Sequence, residues 1–317
     1  MGEIRQEVTD RIISAIETGV APWRAGWNRG EPHQNFSTGK PYKGINQLLL
    51  AMAPYADPRW MTFKQASLAG CKVKKGEHGT RIIKMVEVMR DRVEDGADTE
   101  IVGVEGKKAL VMKAYTLFNA EQLDGVPPLP EASKKIEPVP AVEAIAQGLV
   151  QTTGLTIIEG GNQPCYVPSL DTVRMPRANQ FHSREDEIST LFHELCHSTG
   201  HEKRMNRANC FARFGSELYA KEELRAELAS AMLCGQIGLA LGQSHIDSHA
   251  AYVSSWLDVL RRDKSEIFKA AADAQRICDY LGQWMPAPVL MAGGSEVTLA
   301  ESSAAVPAPQ RLGRAPR

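Results

Sequence analysis

The stretch Ile188-Ser-Thr-Leu-Phe-His193-Glu194-Leu-Cys-His197-Ser-Thr-Gly200-His201 constrains this chain most, because its apolar and its polar residues both repeat at helical spacing. Ile188, Leu191, Phe192 and Leu195 fall at i, i+3, i+4 and i+7 and predict one buried stripe. Ser183-Arg-Glu-Asp186 ahead of them has the form of a capping box, and Gly200 is placed as a left-handed residue just past the helix end. Off the stripe, His193 and His197 are four apart. Both imidazoles therefore project from one face and can reach one metal ion, with Glu194 beside them as a base.

A catalytic zinc site needs three protein ligands and an open fourth position. About thirty residues on, Tyr219-Ala-Lys-Glu222-Glu223-Leu-Arg-Ala-Glu227 opens a second helix whose Leu224, Leu228 and Ala231 form its apolar stripe. Glu223 and Glu227 share a face of it. Glu223 is assigned as the third ligand, and Glu227, one turn on, as the residue that hydrogen-bonds a ligating histidine. The spacing also permits the reverse. A longer zinc pattern, which needs a third histidine three residues after Gly200, fails because that position is Lys203. The expected ion is zinc, with another divalent metal such as manganese as the alternative. Tyr219, His201 and Tyr166 are the candidates for stabilising a developing oxyanion.

The rest of the chain is ordinary for a globular protein, with 43% hydrophobic and 24% charged residues in 317. No run of about eighteen or more apolar residues occurs, and Met1-Gly-Glu-Ile-Arg-Gln-Glu reads as a charged helix start rather than a signal peptide, so no membrane partner and a cytoplasmic location are expected. The six cysteines are scattered and read as buried reduced thiols. Charge is uneven: residues 1–90 hold 14 Lys and Arg against 8 Asp and Glu, while the whole chain has a net charge of −1.

That basic first part interleaves Trp23, Arg24, Trp27, Tyr42, Lys43 and Asn46 with glycines, and follows them with the basic turn Lys72, Lys74, Lys75. Aromatic faces stack on bases while Lys and Arg track phosphates, so these residues are the candidates for binding a single-stranded nucleic acid. Residues 3–19 predict an amphipathic helix ending at Gly19. Segments 81–89 and 109–118 predict strands, with a mobile acidic connection from Asp91 to Gly106. A proline-rich linker at 127–140 then separates a small α+β domain, 1–126, which is expected to fold alone, from a second domain at 141–287. The latter reads as mainly helical with a short antiparallel sheet; Val173 to Met175 is its candidate open edge for a peptide substrate. Residues 288–317 read as a disordered tail.

From Pro22-Trp23, Trp27, Asn35, Gly39, Tyr42-Lys43-Gly44-Ile45-Asn46, Trp60-x-Thr62-Phe63-x-Gln65 and Lys75-Gly76-Glu77-x-Gly79-Thr80, through Tyr166, Pro168, Asp171 and Pro176, to the two metal helices, the chain resembles the ArdC antirestriction family of conjugative plasmids. It is similar as well to the N-terminal region of TraC-type primases. The resemblance covers about residues 3–285. It implies a single-stranded-DNA-binding domain joined to a zincin-like metallopeptidase domain, protecting incoming plasmid DNA from restriction, with a component of a restriction system as one option for the protein substrate. The alternative is a DNA-coating protein in which the metal domain is structural or regulatory.

Overall fold

A computed structural model of the chain describes residues 3–18, 32–93, 98–129, 134–135, 138–208, 210–239, 243–286 and 289–290. The architecture is α+β. Helix α1 (Glu3–Glu17) buries Ile4, Val8, Ile12 and Ile16, the stripe its sequence prescribes, while Gly19 lies outside the described residues. There follow β1 (Gln34–Asn35), α2 (Ile45–Ala51), β2 (Arg59–Thr62), α3 (Phe63–Leu68), β3 (Lys72–Val73), β4 (Thr80–Met89), β5 (Thr99–Glu105), β6 (Lys108–Asn119) and β7 (Leu123–Asp124).

The long strand β6 is the spine of a five-stranded sheet. β4 pairs antiparallel along its full length, from Thr80 opposite Leu117 to Met89 opposite Lys108. Its other side is shared by β5 against residues 108–113 and β2 against 117–119, with β1 parallel to β2. β5 corrects the expectation of a mobile connection from Asp91 to Gly106. Its Ile101, Val102 and Val104 supply strand-forming residues within an acidic context, and Ile101 and Val104 pair with β6 on either side of a register shift at Val102.

The second half runs β8 (Lys134–Lys135), α4 (Pro138–Thr153), β9 (Thr156–Glu159), β10 (Cys165–Val167), β11 (Thr172–Met175), α5 (Arg184–Ser198), α6 (Glu217–Gln236), α7 (Gln243–Arg262), α8 (Glu266–Leu281) and β12 (Val289–Leu290). α4 starts inside the expected linker, since Pro138 and Pro140 occupy a first turn whose N–H groups have no helical acceptor anyway. β8 pairs with β12, so linker and tail each contribute two paired residues; 291–317 lie outside the described residues. The three-stranded sheet is mixed rather than antiparallel: β11 lies in the middle, parallel to β9 and antiparallel to β10. No helix among the described residues is long and apolar enough to cross a membrane.

One hydrophobic core runs through both halves, joining α1 and α2 to the helices of the metal region. α1 packs on α7 and α2 on α8, and Thr9 donates to the Lys264 carbonyl at 2.8 Å. Asn46 ties α2 to β4, accepting from Ile83 N and donating to Ile83 O.

Candidate metal centre

α5 begins where the Ser183 hydroxyl accepts from Asp186 N, and Glu185, Asp186 and Glu187 in its first turn suit the positive end of the helix dipole. Of the expected capping box, the described contacts hold this one bond. Ile188, Phe192 and Leu195 are buried as the stripe requires, which fixes the rotation of the helix and turns His193 and His197 toward α6. Gly200 has an ordinary negative φ. It is required instead by close approach: a Cβ there would stand 2.5 Å from Cys210 Sγ.

Ser216 caps α6 by accepting from Tyr219 N, and the helix carries Glu222, Glu223 and Glu227 to the same place. His193 Nε2 and His197 Nε2 lie 3.0 Å apart, and the Glu223 oxygens lie 3.4 and 3.5 Å from them. Four ligands at about 2.0–2.1 Å from a tetrahedral ion are separated by about 3.3 Å, so these three donors fit a divalent metal. They are also the group of His, Cys, Asp and Glu side chains, among the described residues, whose ligand atoms all fall within 4.8 Å of one another. Of the two glutamates that the spacing offered, Glu223 is the one whose oxygens stand with both imidazole nitrogens.

Around the ligands a further shell holds the imidazoles in place. Glu222 Oε1 lies 3.2 Å from His197 Nδ1, so that nitrogen carries the proton and Nε2 keeps its lone pair for the metal. Arg207 donates to both oxygens of Glu222 at 2.6 and 2.8 Å and to the Cys196 carbonyl at the end of α5. Glu227, fully buried, stands 3.8 Å from His193 Nδ1. Glu227 thus faces the imidazole expected of it, but at a distance longer than a hydrogen bond; the bond to a ligating imidazole is made by Glu222, which with Arg207 was not singled out in the sequence. Burial would raise the Glu223 carboxyl, but His197 and then His193 outweigh it and hold it well below the usual carboxylate range.

The ligands form the floor of a cleft of about 940 Å3, into which Glu194 also faces. Its rim includes Pro164, Cys165 and Tyr166 of the β10 region. β11 is paired on both sides from Thr172 to Arg174 and Met175 is paired with β9, so Val173 to Met175 is not the free edge expected for a substrate strand; the open edge beside the cleft is β10. Cys165 on it is exposed, whereas the other five cysteines are buried and reduced. Tyr166 donates to Asp171 at 2.8 Å and accepts from Arg204 at 3.0 Å, which commits its hydroxyl away from the metal. Burial and the Asp171 carboxylate push that phenol well above its ordinary range. His201 lies beside Asp171 and Lys203 rather than in the cleft. Tyr219 does line the cleft, its hydroxyl 3.1 Å from that of Tyr252.

The residues expected to bind DNA are scattered by the fold. Trp23, Arg24 and Trp27 lie outside the described residues. Tyr42 is half-buried against Leu50 and Trp60, its hydroxyl accepting from Asn35, and burial raises its pKa. Asn46 spends both ends of its amide on Ile83, so it is a structural clamp rather than a DNA contact. Lys43 is exposed but pairs with Asp279 of α8. Lys72, Lys74 and Lys75 are exposed on β3 and its turn, where α3 packs and presents Phe63 at 65% exposure. Phe63 stands edge-on to Phe118.

Comparison with known proteins gives two family matches. Residues 2–118 match the N-terminal domain of anti-restriction factor ArdC, and residues 144–273 match a zincin-like metallopeptidase family. Two Escherichia coli proteins named DNA primase TraC are 42% and 39% identical to it, over 87% and 86% of this chain. The chain spans only 27% and 19% of their lengths. An uncharacterised protein of Sinorhizobium fredii is 35% identical, covering 88% of this chain and 91% of its own. Crystal structures of the antirestriction protein ArdC from plasmid R388, metal-free and Mn(II)-bound, match with a TM-score of 0.70 at 37% and 35% identity, over 88% of this chain and 97% of theirs.

Proposed function

The chain belongs to the ArdC antirestriction family, and from that premise we propose that it protects plasmid DNA from restriction, binding single strands with its first half and hydrolysing a protein target at the metal centre. The observation that carries the peptidase reading is the convergence of His193, His197 and Glu223 within 4.8 Å, beside Glu194, in a cleft bordered by an open strand edge. His193, His197 and Glu223 would hold a divalent metal there, which would supply Lewis acidity to a peptide carbonyl and lower the pKa of water to about 7. Glu194 takes the proton and returns it to the leaving amine. The β10 edge holds the peptide by main-chain hydrogen bonds, and Tyr219, with Tyr252 at its hydroxyl, is positioned to donate to the oxyanion.

Of the two roles for the metal, catalysis is favoured over structure, because the R388 relative has been crystallised metal-free with the same fold similarity to this chain. For DNA, the exposed Lys72 and Lys75 offer phosphate contacts, as does Lys74, which also donates to the Glu121 carbonyl, and the exposed Phe63 on the α3 that packs against β3 offers a stacking ring. Two measurements test the proposal. Glu194→Gln should keep the metal and lose protection of incoming DNA; full protection by that variant overturns the peptidase reading. Lys72→Ala and Lys75→Ala should each flatten the slope of log affinity for single strands against log salt by about 0.7, and an unchanged slope removes this face from the DNA site.

A further inference from the structure

Aromatic rings wall the metal cleft, and two of them stand in solvent. Tyr166, Phe181, Phe211, Phe214, Tyr219 and Tyr252 all line it. Phe211 and Phe214, on the connection between α5 and α6, are 43% and 76% exposed. Apolar rings left in water beside a site of concerted polar groups mark a surface that a ligand covers.

The rings are ordered. Phe214 meets Tyr219 with centroids 5.1 Å apart, Tyr219 meets Tyr252 at 5.9 Å, and Tyr252 stacks on the buried Trp256 at 6.3 Å. One wall is therefore a run of rings from solvent into the core. Opposite, Phe211 meets Tyr166 of β10 at 5.7 Å, so the same connection reaches the strand edge. The floor between them holds Glu194, Glu222 and Glu223. Glu222 is already paired with Arg207 and Glu223 stands with the imidazoles, so the carboxylates do not choose the occupant; the open main-chain edge of β10 does, because it pairs with a peptide backbone and not with a nucleobase. An extended peptide on β10 directs successive side chains to opposite faces, bringing alternate ones against the rings.

We propose that the cleft selects an extended peptide carrying a large apolar side chain next to the bond at the metal, with Phe211 and Phe214 as the residues that set this specificity. The proposal deepens the peptidase reading and rests on it for the substrate class, but side-chain selection is measurable without turnover. Aminoacyl hydroxamates of Phe, Leu, Ala and Asp, which chelate a metal while presenting one side chain, are titrated into the manganese-loaded full chain by calorimetry. The Phe and Leu compounds should bind about tenfold or more tighter than Ala and Asp. Phe214→Ser, at a solvent-exposed position, should erase most of that difference, and Phe211→Ser should reduce it. Equal affinities across the four, selectivity unchanged in both variants, or displacement by a thymidine dinucleotide would overturn the proposal. Peptide cleavage is scored separately: selective hydroxamate binding without any cleavage leaves the apolar subsite standing and removes the peptidase reading.

Discussion

Glu222 and Glu223 are neighbours in sequence yet hold different partners, because adjacent residues of a helix diverge by about 100°. Glu223 meets the metal side of both imidazoles, while Glu222 meets the outer nitrogen of His197 and the guanidinium of Arg207. Arg207→Met should therefore leave Glu222 free to swing from His197 and weaken metal binding about 10–100-fold, whereas Glu194→Gln should bind metal as wild type does; chelator competition measures both. The four-residue spacings made the ligands legible in the sequence. Arg207 was not, since it reaches Glu222 from an irregular connection whose path no periodicity fixes. His33 offers a second residue-scale prediction. It is buried and accepts from Trp60 Nε1 at 3.0 Å, and burial lowers its pKa to about 4. A folded-state pKa below the ordinary 6.5 means that stability is fully present above pH 6.5 and is lost as pH falls toward 4. The loss amounts to at most about 3 kcal/mol. In urea unfolding between pH 7.5 and 4.5, His33→Gln should be less stable at neutral pH but lose less on acidification; parallel curves would assign the acid sensitivity elsewhere.

At the scale of elements, the strand nearest the metal helix in sequence proved to be the middle of its sheet. The sequence placed a strand at Val173 to Met175, but which strand is left open depends on pairing order, and the parallel pairing of β9 with β11 fills the side that Val173 to Met175 was expected to offer. β5 was hidden for another reason: its apolar residues are few, and β6 supplies the partner that makes them a strand. The end of α5 shows how a glycine is legible while its purpose is not. Gly200 makes room for Cys210, whose Sγ would stand 2.5 Å from an added Cβ, with Phe211 Cζ at 3.2 Å. Gly200→Ala should cost about 1–3 kcal/mol in thermal or urea unfolding. Cys210→Ala in the same chain should recover part of it, because the 2.5 Å approach is removed and only the 3.2 Å approaches to Cys210 Cβ and Phe211 Cζ are left, so the two substitutions couple. Additive losses would show that Gly200 is needed for something other than this contact.

The whole molecule carries a boundary that composition marks and packing ignores. The proline-rich stretch and the shift from basic to acidic sequence are visible without a structure, as is the apolar stripe of α1. The partner of that stripe is not, because a periodic pattern states that a face is buried without stating against what. Here Ile4, Val8, Ile12, Ile13 and Ile16 belong to one core with the helices of the second half, where α1 lies on α7 and α2 on α8. Arg5 reaches Ser265 and Lys264 reaches Asp10 across the same junction. Burying an aliphatic side chain is worth roughly 1.5–3 kcal/mol, so uncovering even three of these approaches the roughly 5–15 kcal/mol by which a domain is stable. Part of α1 would keep its contact with β5, which limits the loss without removing it. A fragment of residues 1–129 should therefore melt at a much lower temperature than the full chain, over a broad transition, and bind a hydrophobic dye. The full chain should unfold in a single cooperative step detected alike by fluorescence and circular dichroism. A sharp, dye-free transition in the fragment would mean that the sheet built on β6 holds a sufficient core of its own, and that the α1 and α2 contacts to α7 and α8 are a docking interface between two independent domains.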